Sequence, residues 1–168
     1  MANGKLVISL DFEIYWGVRD AVELDDYKPY LLGVQKVIPL LLKIFETYKI
    51  KATFATVGFL FFEKKEELLK NIPLQIPKYQ NLKLSPYNGH FNRVGTDETT
   101  DPFHFASELV LQIKEANQEI GSHTFSHYYC LEKGQSPEEF KADLMCAKRV
   151  TQKMKQLYLK NLWRQVSF

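Results

Sequence analysis

Three short apolar runs, each ending at a turn and separated by segments of helical spacing, constrain the fold of this chain more than any other feature. Lys5 to Asp11 (KLVISLD), Ala52 to Val57 (ATFATV) and Glu119 to Ser122 (EIGS) read as strands. Between the first two, Tyr30 to Tyr48 carries Leu31, Val34, Val37, Ile38, Leu41, Leu42 and Phe45 at the spacing of an amphipathic helix. Pro39 lies inside that helix, where a proline costs about 3 kcal/mol, so a kink or two helical pieces are expected. Phe59 to Asn71 predicts a second helix and Pro102 to Asn117 a third. Ser136 to Met154 predicts a fourth, opened by Ser136-Pro137-Glu138-Glu139. Strict alternation predicts an α/β fold with parallel strands and crossover helices, in a barrel or an open doubly wound sheet.

In both architectures chemistry gathers at the carboxyl ends of the strands, and two groups of functional residues fall there. Asp11 and Glu13 close the first strand, and residues two apart in an extended chain share a face. His123 and His127 lie just past the third strand, four positions apart, a spacing at which two imidazoles can hold one divalent ion. That spacing alone has low specificity; position and company give it weight. A zincin-type protease is excluded, because Thr124 occupies the place where such a site needs a Glu base. The blander reading of Asp11 is a strand-end cap, which leaves Glu13 unexplained. His90 and His104 lack a partner at useful spacing and are expected as surface or loop residues. Trp16 is expected in packing, with sugar stacking as the weaker role, and Phe54, Phe59, Phe61 and Phe62 in the core. Asn71 to Thr100 is polar and aperiodic, a length that predicts a lid or substrate-binding segment.

At 168 residues and 45% hydrophobic, the chain can build one domain with a real core. A net charge of +2 argues against nucleic acid or an anionic membrane as partner. The sequence shows no bilayer-spanning run and no signal-peptide pattern, which places the expected location in the cytoplasm. Cys130 and Cys146, the two cysteines, then read as free thiols.

The set SLDFE, KATFATVG and EIGSHTFSH, in that order and with Trp16-Gly17 after the first, resembles the NodB-type polysaccharide deacetylases, in the branch with Asp-x-Glu followed by Trp-Gly. The resemblance runs from Lys5 to about Lys153. It implies a distorted (β/α) barrel, present here in part, with one divalent metal, zinc being the expected ion. It also implies hydrolysis of N-acetyl groups on a sugar or polysaccharide. His123 and His127 match the metal-binding histidines and Asp11 the general base. Many members place adjacent aspartates where this chain has Asp11-Phe12-Glu13, and Glu13 is assigned as the third ligand. The family's later arginine motif and late histidine acid have no visible match after Arg149. Ala147 to Phe168 holds no acidic residue and six basic ones, Lys148, Arg149, Lys153, Lys155, Lys160 and Arg164. We therefore divide the chain into a deacetylase-like portion, 1–154, and a divergent basic tail, 155–168, in which Val150, Met154, Leu157 and Tyr158 fall near helical spacing. Two readings stay open: an active metal-dependent deacetylase, or a truncated domain that binds metal, glycan or a partner without turnover. An unclosed barrel leaves free strand edges, so self-association is expected.

Overall fold

The three apolar runs pair as parallel strands β1 (Ser9–Phe12), β2 (Thr53–Thr56) and β3 (Glu119–Ser122), in that order across one sheet. The computed structural model describes residues 4–166, with the side chains of 155 and 157–166 outside that description. Parallel register sets Leu10, Phe54 and Ile120 in one row and Phe12, Thr56 and Ser122 in the next row of the same face. Helices α1 (Leu24–Thr47) and α3 (Ser107–Glu115) contribute Ile38, Leu42, Phe45, Leu109, Val110 and Ile113 to the core with Phe54. The opposite face carries Ser9, Asp11, Thr53, Ala55, Glu119 and Gly121, short or polar residues. Sequential strand order with a shared core is consistent with part of a (β/α) barrel, and the α/β class is as the alternation predicts.

Several boundaries differ from expectation, each for a local reason. Pairing in β1 starts only at Ser9, because the partner strand begins at Thr53, and Leu6 and Val7 are left more than four-fifths exposed. Helix α1 starts six residues early and passes Pro39 unbroken. Pro39 lies on the solvent side, where water can serve the carbonyl that loses its N–H partner. Val37, expected inside, is 56% exposed and joins Tyr30, Leu40, Ile44 and Tyr48 in an outward apolar stripe. The second predicted helix splits into a 3-10 turn, Gly58–Phe61, and α2 (Lys65–Lys70). Phe62 turns extended between them and packs its ring 6.2 Å from that of Phe125.

Helix α4 (Pro137–Val166) opens on a reciprocal cap. The N–H of Glu139 donates to Ser136 Oγ at 3.3 Å, and the N–H of Ser136 donates to the Glu139 carboxylate at 3.0 Å. Its backbone continues through the expected tail. The side chains of Leu157, Tyr158, Lys155, Lys160 and Arg164 lie outside the described residues, whereas Val150 is buried. Both cysteines are free thiols. Among the described residues no helix is long and apolar enough to cross a membrane.

Candidate metal centre

Asp11 stands in register with Ala55 and Gly121, so the row beside it is nearly empty of side chain and its carboxylate is 62% exposed at the mouth of the sheet. The chain leaves the extended conformation at Glu13 (φ −136°, ψ −17°) and enters a 3-10 turn, Ile14–Gly17. Glu13 therefore reaches the histidines by folding back over that turn rather than by strand alternation. Gly17 makes this conformation available: a Cβ there would lie 2.0 Å from the Glu13 carboxyl carbon. Ile14 adopts φ +42°, a costly value for a β-branched residue and a mark of strain beside the site.

The histidines are delivered by a braced turn. The N–H of His123 donates to Thr56 O at 3.0 Å and extends the β2–β3 ladder by one residue. Thr124 (φ +64°) and His127 (φ +54°) are both left-handed, at about 1–2 kcal/mol each. Asp143, fully buried on α4, offsets that strain by accepting from the N–H groups of Phe125 (2.6 Å) and Ser126 (3.2 Å) and from the Ser126 hydroxyl. Burial raises the Asp143 carboxyl pKa above its ordinary value, against those hydrogen bonds. Gly58 lets the β2 end approach so closely that a Cβ there would meet the Phe125 backbone at 2.7 Å.

These supports bring Glu13 Oε2 to 3.1 Å from His127 Nε2 and 3.2 Å from His123 Nε2. One ligand atom from each of the three residues lies within 4.8 Å of the others. Donors bound at about 2.0–2.2 Å in a tetrahedral shell stand roughly 3.4 Å apart, so this N₂O set fits a divalent ion. Asp11 Oδ1 lies 3.7 Å from His123 Nδ1, beside the donors rather than among them. The Nδ1 of His127 is buried with no partner among the described residues, lacking the acceptor that usually orients a ligating ring. Hydrogen bonding from His127 holds the Glu13 carboxyl below its ordinary range, burial opposes this, and the charges of both histidines assist it.

The structure thus gathers all four residues singled out from the sequence, Asp11, Glu13, His123 and His127. Sequence reasoning missed four supports: Asp143, Gly17, and the pair Tyr129 and Asp20. The Tyr129 ring lies 5.2 Å from the His127 ring, and its phenol lies against the Asp20 carboxylate. An acid on the otherwise apolar face formed by Phe140, Cys146, Ala147 and Val150 was the available signal for Asp143.

His90 and His104 lie in the loop as expected, but they have partners there, and His104 is no surface residue. His104 is fully buried, with Nδ1 2.8 Å from Asp101 and Nε2 3.1 Å from His90 Nε2. Trp16 covers the pair, donating Nε1–H to His104 O at 2.8 Å; fully buried, it packs and cannot stack on a sugar. This Asp–His–His chain pins the long loop and keeps 101–106 out of α3. Burial, with His104, Arg19 and Arg93 adding to it, pushes the His90 pKa down to about 3. A folded-state value below that of the unfolded chain means stability present above about pH 6.5 and lost as pH falls toward 3. After discounting for its solvent-facing side, the loss by pH 4.5 is about 2 kcal/mol. Urea titrations at pH 7.5 and 4.5 should show this loss in the wild type and a clearly smaller one in His90→Gln.

A depression of about 740 Å³ lies beside Lys49, Lys51 and Asn117 at the other end of the strands, away from this chemistry. Compared with known proteins, residues 21–164 match the model of the family described as Polysaccharide deacetylase. No curated protein and no solved structure matches the chain. The matched span contains both histidines and the Asp143 brace, and begins just after the strand end that supplies the two carboxylates. With most of its length matched, the chain belongs to the polysaccharide deacetylase family.

Proposed function

We propose that this chain is a divalent-metal-dependent hydrolase that removes N-acetyl groups from a sugar or polysaccharide, with zinc as the ion. The deacetylase class follows from the family. The metal dependence rests on one observation above all, the convergence of Glu13, His123 and His127 through three donor atoms. A bound ion would acidify water and polarise the amide carbonyl. Glu13 and the two imidazoles would hold it. Asp11, exposed beside them, would take a proton from water as the amide carbonyl is attacked.

The test is metal analysis of purified protein together with acetate release from an N-acetylated oligosaccharide. Chelation should abolish release and zinc should restore it. Glu13→Ala and His127→Ala should each weaken zinc binding by at least about 100-fold, beyond the range typical of outer-shell changes. Metal binding unaltered in both variants would overturn the assignment of ligands.

The reading extends to self-association. Leu6, Val7 and the α1 stripe of Tyr30, Val37, Leu40, Ile44 and Tyr48 are exposed, and β1 has no partner strand on its outer edge among the described residues. Sedimentation should reveal dimers or larger species whose population rises with concentration; a monomer at all concentrations would count against it.

A further inference from the structure

A cleft of about 410 Å³ is lined by Arg19, Asp20, Glu23, Lys83, His90 and Arg93. That volume lies within the range of about 300–1,000 Å³ typical of ligand sites. The walls are cross-braced. The Arg19 guanidinium donates to the carbonyls of Lys83 (2.9 Å) and Leu84, and His90 is fixed against buried His104. Asp20 links the cleft to the candidate metal centre, because it lies against Tyr129, whose ring packs 5.2 Å from that of His127.

Charge decides what such a cleft can hold. Three permanent cations, Arg19, Lys83 and Arg93, face two carboxylates. Asp20 is engaged by Tyr129, and the Glu23–Arg93 pair is long at 3.4 Å with both side chains more than 60% exposed, so it binds weakly. No described residue pairs with the Lys83 ammonium. The surplus is about one positive charge, which suits a carboxylate better than a phosphate monoester carrying about −1.5 to −2. We propose that the cleft binds a carboxylate-bearing sugar unit, a uronic acid, adjacent to the acetamido sugar at the metal, so that the substrate is an acidic N-acetylated glycan. This deepens the deacetylase reading and rests on it. Arg93 takes the carboxylate in place of Glu23, as guanidinium and carboxylate pair in two parallel hydrogen bonds.

The experiment is calorimetric titration of the full chain with trigalacturonate and with neutral chitotriose. The expected result is binding of the acidic trisaccharide about tenfold tighter or more, with the preference shrinking as ionic strength rises. Both Lys83 and Arg93 are exposed, so the Lys83→Ala/Arg93→Ala protein should fold. It should lose the preference while its affinity for chitotriose stays unchanged. Equal affinity for the two saccharides, a preference that survives the double substitution, or stronger competition by inorganic phosphate than by galacturonate would each overturn the proposal. Acetate release is read separately. Release from chitotriose without acidic preference sinks the cleft alone, and acidic preference without release from any glycan supports the cleft while removing the deacetylase reading.

Discussion

Replacing Asp11 by Asn should leave metal content unchanged and lower acetate release by about 10²–10⁴-fold, the range that a positioned general base contributes. The expectation follows from where Asp11 sits. Its Oδ1 is 3.7 Å from His123 Nδ1, whereas the three donor atoms at the centre come from Glu13, His123 and His127. Asn is nearly isosteric and keeps the row with Ala55 and Gly121 intact, so the sheet end should not rearrange. Metal analysis and acetate release on the same preparation check both halves of the statement. Loss of metal in Asp11→Asn would make Asp11 a ligand and unseat the base assignment. Metal retained with no turnover in either protein would favour a domain that binds without catalysis.

Asp143→Ala should cost about 3–4 kcal/mol, since it strips three donors of one buried acceptor and leaves two left-handed residues unsupported. At roughly 2–4 °C per kcal/mol for a chain of this size, melting should fall by about 6–16 °C. Zinc affinity should fall as well, although Asp143 touches no ligand, because His123 and His127 flank the turn that it holds. Asp143→Asn separates the two effects. It keeps one acceptor and the side-chain volume, so it should recover part of the stability and less of the affinity, as thermal melts and competitive zinc titration would show. An alanine protein that melts like the wild type would mean that the turn is held by its bonds to β2 alone.

The strands' identity and parallel pairing were legible because hydrophobic period is a local property, and so was the placement of acids and histidines at strand ends. Glu119–Ser122 was bounded correctly, and the four site residues meet as expected. What could not be read depended on the partner. Leu6 and Val7 look like strand interior until the opposite chain is seen to start at Thr53. Phe62 fits a helix until the core pulls its ring toward Phe125. His90 and His104 are fourteen residues apart with no common period, so their contact is a fact of loop folding alone. Gly17 was noted after Trp16, but its purpose appears only when Glu13 is found lying across it.

Glu13 and His127 are separated by more than a hundred positions, and each must arrive before the other is of use. Closing so long a loop is entropically slow and must precede any reward from the contact. A ribosome therefore has to deliver 127 of the 168 residues before the three proposed donors can meet, and the Asp143 brace emerges later still. Metal loading should thus be a late event in biogenesis, with the nascent chain offering scattered single donors until α4 has docked.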